Sequence, residues 1–408
     1  MNNQQTRMPH ESSYRWVMLA LVWLLYTSFG IIHRSVSPLI TPIIADLNMS
    51  YSQMGLVLGS WQLTFIAAAA FAGAALDKWG IRLSLFFGTV VIALSIGLRY
   101  FAAGFWSFLF VVALFGVGGP MISIGCPKTI ALWFSGKDRG TAVGLYTTGP
   151  WIGGAFALAA TNRFFMPLTG YSWRLTFIVY GVITLGVALI WWFFAREAES
   201  SVGSERFEMG RVFMNLIRVH NVRILLLSGL FSFAIHHGYT NWLPKILEAQ
   251  GLSPTNAGFA SSIPLLAGIP TLLFIPRMVP PRWRGRFIAC MMLVIGLALW
   301  PVAYCGGILV YIGLTFYGIS VCTIFPLLVL ILMDMPEVGP RYMGSAGGIF
   351  FSISEIGGFM GPPAVGALVD WTGTFDAAVF YVSTLSLIIF SLTFLLKDVG
   401  QTTGTHLS

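Results

Sequence analysis

Gly73-Ala-Ala-Leu-Asp77-Lys78-Trp79-Gly80-Ile81-Arg82 is a short charged turn set between two long apolar runs. Thr64 to Leu76 before it and Leu83 to Leu98 after it carry no charge. Asp, Lys and Arg gathered into one tight link between two bilayer-length segments specify a hinge at a membrane surface. Gly73 and Gly80 permit close helix approach and a sharp turn. Asp77 is suited to a helix N-terminus or a basic partner. Lys78 and Arg82 hold the link on the cytoplasmic side.

Composition extends this reading to the whole chain. Of 408 residues, 56% are hydrophobic and 9% charged, against about 25% charged in a soluble domain. So much apolar surface is covered only by lipid. The formal charge of +8 is spread over short loops rather than one face. It is a topology signal and not a nucleic-acid footprint. Met1 to Ser13 is polar and the first apolar run is too long for a signal-peptide core, so the first helix is expected to stay as an anchor. Cys126, Cys290, Cys305 and Cys322 lie in or beside apolar runs, without Cys-x-x-Cys or His/Cys metal spacing. Unpaired thiols and no metal are expected, and no phosphate-binding loop is present.

A spanning helix needs about 20 mostly apolar residues. Twelve such runs are legible: Trp16–Ile40, Ser52–Leu76, Leu83–Phe101, Trp106–Phe134, Thr141–Phe165, Leu175–Phe194, Val222–Leu247, Asn256–Ile275, Phe287–Tyr304, Ile308–Leu332, Met343–Val369 and Ala377–Leu396. The basic residues fall mainly on the side holding both termini, which predicts an even span count with both ends cytoplasmic. The polar stretch from Arg196 to Asn221, with a surface helix expected near Met209–Val219, divides the chain. The expected organisation is a bundle over 1–195, a linker over 196–221 and a second bundle over 222–408. The halves repeat: Ala142, Gly144, Gly153 and Gly154 return as Ala346, Gly348, Gly357 and Gly358, each 204 residues later. The link from Pro276 to Arg286 stands where a second copy of the first hinge belongs; it keeps arginines and lacks the acid.

The opening stretch resembles the signature loop between spans 2 and 3 of the major facilitator superfamily. Gly73, Asp77, Lys78, Gly80 and Arg82 all match, while Leu83 replaces a second terminal basic residue. The resemblance implies an all-α integral membrane fold of twelve transmembrane helices in two pseudo-symmetric six-helix bundles. It also implies a secondary active transporter working by alternating access, not an enzyme, with no cofactor. Spans 1, 4, 7 and 10 are then expected to line a central cavity. The run from Cys126 to Gly154, with Ser172-Trp173-Arg174, looks like the cyanate and nitroimidazole permease branch, and more loosely like nitrate/nitrite and monocarboxylate carriers.

Charges inside spans cost about 2.5–3.5 kcal/mol at a helix centre on insertion scales, so those present are candidates for work on cargo. Arg34 in span 1 and Lys128 in span 4 are two cations on expected lining helices, with no acid in either apolar run. Such a cavity attracts small anions, and Arg binds an oxyanion through two parallel hydrogen bonds. Each cation also has a plainer reading, in which it reaches along its helix to the membrane surface. His236 and His237 in span 7 point about 100° apart, so at most one faces the cavity squarely. Either it bonds cargo or a proton, or it bonds a neighbouring helix. Glu355 is the one acid deep in a span; it carries a coupling proton or pairs with a basic residue. His237 is a second proton-coupling candidate. Tyr146, Asn241, Trp61, Gln62 and Tyr317 complete the possible lining groups, with core packing the alternative for each aromatic. Arg139 joins the signature residues as part of the gating loop. Asp46 and Asp334 fall near span ends and read as solvated.

The function expected from all this is proton-coupled uptake of a small anion by a monomer of the cell inner membrane. The alternative is a proton-coupled exporter of neutral or cationic compounds, which would need an acid such as Glu355 in the cavity. A membrane sensor or intramembrane enzyme is the remote rival. The tails and linker are too short for a signalling domain, and the histidines show no Ser or Asp partner motif.

Overall fold

The computed structural model describes residues 13–197 and 217–396, except the side chains of 70 and 339–345. These residues are mostly helical and contain no strand. Each expected run is a helix. Span 1 is Arg15–Arg34, and a short helix, Ile40–Leu47, follows it. Spans 2 and 3 form one assigned helix, Tyr51–Leu98, interrupted at Gly80, whose φ of 79° no other residue type adopts readily. Span 4 is Phe105–Ala113 and Phe115–Trp133; span 5 is Gly136–Thr147 and Gly149–Ala160. Span 6 is Trp173–Phe194 and span 7 is His220–Ala249. Spans 8 to 12 are Pro254–Met278, Arg284–Tyr304, Ile308–Met333, Gly339–Thr372 and Asp376–Thr393. Of the surface helix expected near Met209–Val219, all but the last three residues lie outside the described residues, and those three form a turn and bend.

Eight helices among the described residues are long and apolar enough to cross a membrane on length and composition alone. Phe71, Trp106, Phe110, Leu168, Phe193, Leu297 and Trp371 are more than 60% exposed. Large side chains turned outward in this way form the lipid-facing surface of such helices.

The chain packs as two compact units. One comprises Met1–Ile43 and Leu63–Gly203, the other Ile44–Gln62 and Ser204–Ser408. In the first unit, spans 1 and 5 meet at glycine. A side chain on Gly153 would overlap the Thr27 carbonyl, and one on Gly30 would overlap Pro150. In the second unit, spans 7 and 11 meet the same way, with Gly357 on the Leu230 carbonyl and Gly361 on Ala234. Gly153 and Gly357 are one of the repeat pairs read from the sequence. Because lipid tails are as apolar as the helices, association depends on such close van der Waals contact.

The glycine contacts lead to a direct test. Gly357→Ala should lower the thermal stability of the purified protein by about 1–3 kcal/mol through overpacking. Gly97→Ala in span 3, where a Cβ meets nothing within 4 Å, should leave stability unchanged or raise it by up to about 1 kcal/mol. Thermal unfolding in detergent reads both.

Candidate functional site

The signature loop is built from the first unit alone. Past the Gly80 break, the exposed N–H groups of Ile81 and Arg82 donate to the two carboxylate oxygens of Glu197, at 2.7 and 3.0 Å. A carboxylate at the positive end of a helix is the favoured charge there. Arg82 donates to the Trp192 carbonyl at the end of span 6, at 2.6 Å through Nη2, and its guanidinium lies over the Trp192 ring. Arg139 caps the end of span 4 by donating to the Phe134 and Ala131 carbonyls, both at 2.8 Å. Lys78 is exposed, and nothing lies within 4 Å of a Cβ on Gly73.

Lys128 belongs to this network. Its ammonium lies 2.6 Å from Asp77 Oδ1, with the two side chains 29% and 52% exposed. The sequence casts Lys128 as a cavity cation, but 51 residues of chain separate it from the acid that holds it. The second unit carries the counterpart with charges exchanged. Arg284, the first residue of span 9, forms an ion pair with Asp334 at the end of span 10. The missing acid of the second hinge is therefore supplied by Asp334, which is exposed at the span end as the sequence expects and pairs with Arg284 there.

At the end of span 1 away from this loop, Arg34 is 3% exposed. It closes the Arg15–Arg34 helix, where the negative end of the helix dipole favours a cation. Ser35 beside it donates to the Ile32 carbonyl at 2.7 Å and accepts from Arg99 Nη1 at 3.1 Å. Arg99 is 1% exposed, lies over the Phe177 ring, and makes no carboxylate contact among the described residues. Arg99 lies inside the third apolar run, Leu83–Phe101, and is not among the candidates named from sequence. Around Arg34 the helix carries an aromatic lattice: His33 stacks on Phe115, and Tyr26 stacks on Tyr146 at 5.9 Å.

In the second unit the span 7 histidine rings meet edge to face, with centroids 4.9 Å and planes 82° apart. His237 is buried and takes the edge of Trp61 at 5.9 Å, while His236 is half-buried. Tyr317 meets the Thr240 hydroxyl at 3.2 Å, and Asn241 is buried on the same helix. Glu355 has no ion pair among the described residues, so the basic partner weighed from sequence is not there. Instead His237, Glu355 and Gln62 converge on Gly358. From the point where a Gly358 Cβ would stand, His237 Cδ2 is at 3.0 Å, Glu355 Oε2 at 3.2 Å and Gln62 Nε2 at 3.3 Å. Sequence placed these three on spans 7, 11 and 2 without bringing them together.

Twelve spans, two glycine-packed units and buried polar groups inside apolar spans are the layout of a membrane transporter. A family model described as Major Facilitator Superfamily matches residues 21–362. The chain belongs to this superfamily and is a secondary transporter. It is similar to the hexuronate transporter of Bacillus subtilis (strain 168), 25% identical over 91% of this chain and 93% of the relative. A probable galactarate/D-glucarate transporter, GudP, of Escherichia coli (strain K12) is 23% identical over 95% of this chain and 94% of its own length. Among solved structures, a bacterial homologue of the human lysosomal transporter Spinster, inward-facing and occupied, shares the fold at a TM-score of 0.75. It is 18% identical and covers 94% of this chain and 97% of its own.

The Asp77–Lys128 pair is measurable. A double-mutant cycle on Asp77→Asn and Lys128→Met, read by thermal unfolding, should give a coupling of about 0.2–1 kcal/mol, the range for exposed pairs. Exchanging the charges, Asp77→Lys with Lys128→Asp, should preserve stability better than either reversal alone. Strict additivity would mean that the pair contributes nothing.

Proposed function

We propose that this protein takes up a small carboxylate of the sugar-acid class across the cell inner membrane, driven by protons. Both termini are cytoplasmic in this reading, and a monomer suffices. The observation that carries it is Arg34, a guanidinium 3% exposed at the end of span 1. The neighbouring Ser35 is held by a second buried guanidinium, Arg99. A guanidinium's planar fork matches a carboxylate. The names of the relatives supply the class: hexuronate, galactarate/D-glucarate, tartrate and sulfoacetate transporters. Tyr146, Asn241 and His236 are candidates to bind the hydroxyl groups of such a cargo. Glu355 and His237 are candidates to carry the coupling proton, and the residues around Gly73–Arg82 and Arg139 to gate the movement. Lys128 serves first as partner of Asp77.

The cyanate and nitroimidazole reading rests on the Cys126–Gly154 run. The relatives named here favour the larger acids instead.

Uptake by protein reconstituted in liposomes tests the assignment. Labelled glucuronate should enter saturably under an inward proton gradient, and collapse of that gradient should stop accumulation. Arg34→Ala should raise KM at least tenfold, about 1.4 kcal/mol of lost binding, with Arg34→Lys intermediate. Unchanged KM in Arg34→Ala would remove Arg34 from the site. Cyanate entry without hexuronate entry would restore the smaller cargo.

A further inference from the structure

The convergence at Gly358 contains an amide and a carboxyl group with unmet bonding capacity. Gln62 is fully buried, and neither its Oε1 nor its Nε2 has a hydrogen-bond partner. Glu355 is 3% exposed, and its Oε2 has none. Buried polar groups in folded proteins are almost always satisfied, so an amide and a carboxyl left open around one glycine call for an account.

The placement of Gln62 is fixed by backbone. Along Ile44–Gln62, Gly55 packs on Pro362 and Gly59 on Phe359, and Gly366 of span 11 packs on Tyr51. At the start of the same helix, Asp370 accepts from the N–H groups of Tyr51 and Ser52, at 3.0 and 2.7 Å. Gln62 thus lies beside Gly358 with Glu355, the two side chains not hydrogen-bonded to each other, because its whole segment is seated on span 11 within the second unit.

A primary amide and a carboxylic acid are complementary: the acid O–H donates to the amide oxygen, and the amide N–H donates to the acid carbonyl. A carboxylate offers acceptors only, so the amide oxygen is then left without a donor. A buried charge must also be paired, and no cation pairs with Glu355 among the described residues. We propose that Gln62 reads the protonation state of Glu355: the segment Ile44–Gln62 seats on span 11 when Glu355 carries a proton and is released when the proton leaves. This deepens the proton-coupling reading above and rests on it, because it makes loss of the proton the event that frees a transporter helix. Gly358 is a positioning residue here, since a side chain there would separate the two groups. The other titratable group facing this point is His237 from span 7. Span 2 presents Gln62 and Trp61, neither of which titrates.

The test needs no cargo. Hydrogen exchange of the backbone of residues 51–62 is measured against pH, corrected for intrinsic rates, with the infrared carbonyl stretch of protonated carboxyl groups followed in parallel. In the wild type, protection of 51–62 should fall at least tenfold over the pH range in which the Glu355 carboxyl band disappears. Glu355→Gln, whose amide pairs with Gln62 at any pH, should stay protected throughout. Gln62→Leu should lose the pH dependence, and His237→Gln should keep it. A wild-type segment whose protection ignores the carboxyl band overturns the proposal without reference to any variant. So does a pH dependence that survives in Glu355→Gln and vanishes in His237→Gln. Proton-driven uptake is scored separately in liposomes. Failure of coupling and failure of the Gln62 contact are therefore told apart.

Discussion

Backbone laid directly on backbone holds each unit together. In water, helices are driven together by the removal of apolar surface; in lipid that force is absent, and contact must come from fit. Thr27 under Gly153 and Leu230 under Gly357 are carbonyl groups that touch a neighbouring helix where any side chain would collide. Everything else in each unit is aligned by those contacts. Arg34 lies two turns beyond Thr27 on one glycine-docked helix. His237 lies two turns beyond Leu230 on the other. A shift of span 5 or of span 11 by the width of a methyl group would displace the polar site of its own unit.

The same packing explains which spans hold the polar groups. A helix locked by glycine contacts spends little of its surface on lipid, so it tolerates an uncharged amide, an imidazole or a carboxyl on the inner face. Gln62, Tyr146, His237 and Glu355 sit on spans 2, 5, 7 and 11, one each, and those spans carry the close glycine contacts.

Much of this was legible in order along the chain. The twelve runs, the break at Gly80 and the recurrence of Gly153 as Gly357 are local or periodic signals, and local signals survive in a single sequence. Pairings across many residues do not. Lys128 reads as an isolated cation because Asp77 lies in a different stretch. Asp334 reads as solvated, and its pairing with Arg284 is not legible because Arg284 lies 50 residues earlier. Gln62, His237 and Glu355 read as three unrelated polar residues because only the seating of Ile44–Gln62 on span 11 brings them together. Arg99 shows the opposite failure: its position inside an apolar run was visible, but its burial against Phe177 was decided by span 6.

The two hinge ion pairs run in opposite senses: Asp77 with Lys128 in one unit, Arg284 with Asp334 in the other. A protein with two similar halves risks joining the wrong pieces as its helices enter the membrane one after another. Cross-matched hinges here would set Asp77 against Asp334 and Arg284 against Lys128, like charge facing like. Such juxtapositions are penalised where native ones are rewarded. The exchanged polarity thus labels each half differently: a hinge set against the other half's partner would meet its own sign of charge.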